Sequence, residues 1–187
     1  MPPYTVPAGL PRAMSLQQQD SSELIIRGIQ TIFKAQLQTY INTEFAKWTT
    51  VDLADDTGEI LPVAIESQNI FAGSPETIKI DLERLPMVTI DVENKTFGKS
   101  KIASAWTENT YSVSIVSILM GDDPRKLYWG NMRFTEAIVS LLSAQMFLGG
   151  VARSIVPLRV VYSNPIGLKT GWFRGSHVSL IVYGFGD

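Results

Sequence analysis

The stretch "YSVSIVSILMGDD", Tyr111–Asp123, begins as a strict alternation and then loses it. Tyr111, Val113 and Ile115 alternate with Ser112 and Ser114, as in a strand with one face on a core and the other toward water. From Val116 onward, Ile118, Leu119 and Met120 put apolar groups on both faces, so a second layer or another chain must cover the far end. The expectation is a strand inside a sheet, with helices under one face and either sheet partners or a neighbouring subunit against the other.

Upstream, Asp20 followed by Glu23 reads as a capping-box variant that opens a helix. Ile25, Ile29, Ile32, Phe33, Leu37, Tyr40, Ile41, Phe45 and Trp48 then fall on one stripe at three-to-four spacing. The stripe runs for about seven turns, roughly 40 Å at 1.5 Å per residue. After the turn "DLADDTGE" come two strand-like runs, "LPVAIESQNIFAG" and "ERLPMVTIDVENKT", separated by Gly73-Ser74-Pro75. The second run and the 111–120 strand bracket "ENKTFGKSKIASAWTENT", which reads as a hairpin with a long projecting tip, or a projecting ribbon, over 94–110.

Downstream, Asp122 or Asp123 supplies a cap and Pro124 a first turn for a second helix through Leu127, Phe134, Ile138, Leu141, Leu142 and Met146. Gly130 offers a point of division and Gly149-Gly150 a stop. Two strands close the chain: "SIVPLRVVYS", where Pro157 implies an edge or a bulge, and "SHVSLIVYGF". Between them "NPIGLKTGWFRG" reads as a long loop. The order predicts an α+β domain over 20–187, with two main helices on an antiparallel sheet. Residues 1–19, with Pro2, Pro3, Pro7 and Pro11, form an extended arm in this reading, either frayed or docked on a neighbour through Tyr4, Val6 and Leu10.

Composition narrows the classes. The chain has 187 residues, enough for one domain with a real core, and a formal net charge of −2 that exerts no global pull on nucleic acid. It contains no cysteine, which excludes disulfides and thiolate metal sites. No apolar run approaches the roughly 20 residues of a membrane span, and the N-terminus lacks the order of a signal peptide, so the expectation is a soluble protein made in the cytoplasm.

Candidate chemistry is sparse. His177 is the only histidine and has no neighbouring pattern of metal or triad partners. Asp122-Asp123 reads as a cap, Asp55-Asp56-Thr57-Gly58 as a turn, and Gly167-Lys169-Thr170 lacks the spacing and the following helix of a phosphate loop. No catalytic, metal or cofactor residue emerges, and the expectation is that the chain is not an enzyme. Two clusters interleave basic and aromatic residues: Lys95, Phe97, Lys99 and Lys101, followed by Trp106, and Arg174 beside Trp172 and Phe173. Such clusters hold phosphates, stack bases or dock on proteins, and the overall acidity favours protein contact or plain solubilising charge.

A long capped helix, a proline-containing strand, a hairpin with a projecting tip, the helix "DDPRKLYWGNMRFTEAIVSLLSAQMFLGG" and a closing strand pair together resemble the tail terminator (tail completion) proteins of long-tailed bacteriophages. The similarity is one of pattern and order over roughly residues 20–187. It implies a virion structural subunit that assembles as a homohexameric ring at the head-proximal end of the tail. Such a ring stops tube or sheath polymerisation and meets the neck proteins, while DNA passes through its lumen without specific binding. The tip residues Lys95, Phe97, Lys99, Lys101 and Trp106 and the arm residues Tyr4, Val6 and Leu10 are then the expected partner contacts. A head–tail connector or stopper of the neck is the neighbouring alternative, and a stand-alone ligand-binding α+β domain the more distant one.

Overall fold

The computed structural model describes residues 21–48, 60, 62–74, 84–97 and 109–184. Among these, two helices pack on one face of a six-stranded, mostly antiparallel sheet, which makes the fold α+β. The elements are α1 (Ser21–Trp48), β1 (Ile70–Ala72), β2 (Met87–Phe97), β3 (Asn109–Gly121), α2 (Pro124–Ala144), β4 (Ala152–Tyr162), β5 (Ile166–Leu168) and β6 (Gly171–Gly184). The strand order is β1-β2-β3-β6-β4, and β5 pairs with the beginning of β6.

The stretch Tyr111–Met120 lies at the centre of this sheet, between β2 and β6. Its odd-numbered residues Tyr111, Val113, Ile115 and Leu119 are fully buried beneath the helices, joined by Val88 and Ile90 of β2 and by Val178, Leu180 and Val182 of β6. The α1 stripe supplies Ile25, Ile29, Phe33, Leu37, Ile41 and Phe45, and α2 supplies Phe134, Ile138, Leu141 and Leu142. The periodicity of each element thus faces the same core. Trp48 leaves the stripe and is 41% exposed.

Local signals explain the ends of α2. Asp123 Oδ1 accepts from the amides of Arg125 (2.7 Å) and Lys126 (3.4 Å), and Pro124 occupies the first turn, where its missing N–H has no partner to lose. After Ala144 the chain turns through Leu148–Gly150, with Gly149 at φ 65° and Gly150 at φ 94°, conformations that favour glycine.

Several sequence expectations are corrected. The helix is not divided at Gly130. That glycine lies inside α2, where a Cβ would make only ordinary van der Waals contact, 3.8 Å from Ile60 Cγ2, and the helix continues through it. Among the described residues of "LPVAIESQNIFAG", only Ile70–Ala72 form a strand, and it runs parallel to β2. Residues 73–86 between them provide the dozen or more residues that a parallel connection needs. The preceding segment is tied to α1 instead: Ile65 N donates to Gln38 Oε1 at 2.8 Å, and Gln30 Nε2 donates to the Ile70 carbonyl at 2.8 Å. The expected loop 164–175 contains β5 and the start of β6, so it is a tight hairpin with Gly171 at φ 142°. At the ends of the 94–110 segment Asn94–Phe97 pair with Asn109–Ser112 in regular register, as in a ribbon, and 98–108 lie outside the described residues. Met146, placed on the second helix, lies beyond its end at Ala144 and is 47% exposed. Pro157 does stand where a strand tolerates it: β4 lies at the sheet edge, with a register shift between Pro157 and Arg159.

Candidate assembly surface

The side of the sheet turned away from the helices follows from the same register. Val116, Ile118 and Met120 of β3 share it with Phe173, His177, Ile181 and Tyr183 of β6, Val156 and Val161 of β4, and Ile166 and Leu168 of β5. This outer face is apolar but only partly covered. Ile166 is 59% exposed, Leu168 56% and Met120 40%, while Phe173 among them is buried; Leu158, in the β4 bulge, is as open as Ile166. Toward β2 the same face is closed, with Met87 and Thr89 almost without exposure. The open part is therefore a patch concentrated on β4, β5 and the adjoining end of β3. Apolar patches of this kind on a folded chain mark contact surfaces.

Among the described residues, the polar groups on the outer face do not form a catalytic constellation. Ser114 Oγ lies 2.7 Å from His177 Nε2, and Glu93 Oε1 lies 3.9 Å from the same nitrogen. A serine nucleophile needs its base oriented by an acid on the opposite ring nitrogen, and here both contacts converge on Nε2. Among the described residues there is no group of three or more histidine, aspartate or glutamate side chains arranged to hold a metal ion.

Beneath α2 the sheet carries a polar seam. Ser176 Oγ is 2.7 Å from both Ser117 Oγ and Thr135 Oγ1, and Thr135 Oγ1 also lies 2.7 Å from the Asn131 carbonyl. The seam ends at Arg174, which is 4% exposed. Its Nε donates to the Ser163 carbonyl and its Nη1 to the Tyr128 carbonyl, both at 2.9 Å, and its guanidinium stacks 3.9 Å from the Tyr128 ring centroid. Arg174 consequently fastens the 163–175 segment to α2. It is no phosphate contact, and Trp172 and Phe173 stand on opposite faces of β6 instead of flanking it as a stacking platform. Nearby Tyr162 has its phenol pKa raised, chiefly by burial and then by the Glu136 charge, against a hydrogen bond with Thr135.

Of the sequence-derived contacts, Lys95 and Phe97 fall in β2. Lys95 pairs in register with Tyr111 and holds its ammonium 5.5 Å from that ring's centroid, so it belongs to the base of the hairpin. Lys99, Lys101, Trp106, Tyr4, Val6 and Leu10 lie outside the described residues. The outer-face residues Val156, Val161, Ile166 and Leu168 escaped the sequence reading. Alternation in "SIVPLRVVYS" was the available signal, since it places Val156 opposite to Ile155. No protein-family model matches the chain, and no curated protein matches it.

Proposed function

We propose that the chain is a structural subunit that builds a homo-oligomeric ring, and that it acts as a tail terminator of a long-tailed phage. In this role six copies close at the head-proximal end of the tail, stop tube or sheath growth and receive the neck protein, with DNA passing through the lumen. The carrying observation is the open apolar patch on the outer sheet face around Val161, Ile166 and Leu168. A ring is made by heterologous contacts, in which one patch meets a different patch on the next subunit and closure limits growth. The patch borders β4, an edge strand among the described residues, so a neighbour has both side chains and a strand edge to engage.

Negative-stain images of the purified chain, alone and after addition to unfinished tail tubes, test this reading. Six-fold rings seated at tube ends are expected. A chain that stays monomeric and leaves the tubes uncapped overturns it.

A further inference from the structure

The C-terminal end of α1 and the middle of α2 enclose a pocket of about 380 Å³, walled by Trp48, Trp129, Met132 and Arg133. Arg133 is 5% exposed, and its guanidinium lies 5.6 Å from the Phe45 ring centroid and 5.7 Å from that of Trp48. These are cation–π contacts to the ring faces, and they use none of the five N–H donors of the guanidinium. Among the described residues, Arg133 has neither a hydrogen-bond acceptor nor an ion-pair partner. Burial also pushes its pKa down from the ordinary value, with no carboxylate holding it up. The other charges at the pocket do not change this. Glu44 is engaged by Lys47 and by Ser140 Oγ at 3.0 Å, and Glu136 is exposed at the rim. A mostly buried cation with unused donors, beside two tryptophans, fits a carboxylate carried next to an aromatic ring.

The chain itself contains such a group. Phe185-Gly186-Asp187 follows directly on β6. Contacts within the fold place that point far from the pocket. Gly184 pairs with Ala152, and Val151 and Leu148 lie against Gly28 near the beginning of α1. The two helices run antiparallel, with Gln36 meeting Gln145, Glu44 meeting Ser140, and Trp48 meeting Arg133. From Gly28 to Trp48 is therefore roughly 30 Å along α1 at 1.5 Å per residue. Three extended residues span at most about 11 Å.

We propose that residues Phe185–Asp187 of one copy enter the Arg133 pocket of the next, the Phe185 ring against Trp48 and Trp129 and the Asp187 carboxylate on the guanidinium. The contact joins opposite ends of two copies, which makes it heterologous and suited to a ring. It deepens the ring reading above and rests on it for its place in an assembly.

The test uses a peptide of residues 182–187, amidated so that Asp187 carries its only carboxylate, titrated calorimetrically into the full-length Asp187→Asn chain. Saturable binding is expected, weakened about tenfold or more by Asp187→Asn in the peptide, as for loss of a charged hydrogen bond, and weakened likewise by Phe185→Ala. Changes in the peptide leave the receptor fold untouched. Arg133→Gln in the receptor should reproduce the loss, and Glu136→Gln should tighten binding. Absence of saturable binding, or equal binding of the Asn peptide, overturns the proposal. Rings that form unchanged in the Asp187→Asn chain overturn this contact and leave the ring reading standing, whereas peptide capture by a chain that never caps tubes upholds the contact and removes the ring.

Discussion

The two faces of one sheet differ sharply in what covers them. On the inner face, Val113, Ile115, Leu119, Val178, Leu180 and Val182 are sealed beneath α1 and α2. On the other face of the sheet, Met120, Val156, Val161, Ile166 and Leu168 are comparably apolar yet open. Hydrophobicity alone does not separate the two sets; the register and the position of the helices do. The inner face contributes stability to the single chain, whereas in the proposed ring the outer apolar groups gain their burial from a neighbouring copy. Substitutions on the two faces should therefore act on different observables.

The largest effect belongs to the inner side. Phe134→Ala empties a fully buried aromatic site between α2 and the sheet. Chemical denaturation should show a loss of about 3–5 kcal/mol. A loss under 1 kcal/mol would mean that this face is not the core. Gly184→Ala comes next. Its Cβ would lie 2.7 Å from Tyr111 Cε2, so the buried ring or the strand end must shift, and a cost of about 1–3 kcal/mol is expected from denaturation midpoints. Asp123→Ala removes both cap bonds of α2 and should cost about 1 kcal/mol, with Asp123→Asn recovering much of it.

Tyr162 sharpens the comparison at the sheet edge, where β4 approaches the Arg174 seam. Its folded-state pKa is raised, first by burial, so the unfolded chain releases the phenolic proton at lower pH than the folded one. The associated stability is present below the ordinary tyrosine range and is lost as pH rises through the folded value. Denaturation midpoints of the native chain should fall more steeply in that alkaline window than those of Tyr162→Phe. Parallel profiles would show that the phenol does not feel its surroundings.

Much of the inner face was legible in the sequence because burial there has a period. Ile25, Ile29, Phe33, Leu37, Ile41 and Phe45 recur at helical spacing, and Tyr111, Val113 and Ile115 at strand spacing. The opening of Tyr111–Met120 onto two apolar faces was equally plain, and it follows from Met120 and its neighbours facing the outer side. What sequence did not reveal depends on long-range pairing. Ile70–Ala72 is too short for its direction to be encoded locally, and it runs parallel because residues 73–86 allow the return. The β5 hairpin was obscured by Gly167 and Gly171, which read as loop until Ile166 and Leu168 are seen in register with Phe173 and Gly171. Arg133 looks like one more helix-surface charge, and its burial arises from Phe45 and Trp48 of a helix some eighty residues earlier in the chain.

The smallest effect on stability is expected on the outer face, and it carries the central claim. Ile166→Ser combined with Leu168→Ser replaces two of the most exposed apolar side chains without touching the core. Such surface changes usually stay within about 0.5 kcal/mol each. Sedimentation velocity of the wild-type and doubly substituted chains, in the presence of tail tubes, measures the claim most directly. A ring-bearing species is expected for the wild type and a folded, unassembled chain for the variant. Assembly that is unchanged in the variant would contradict it.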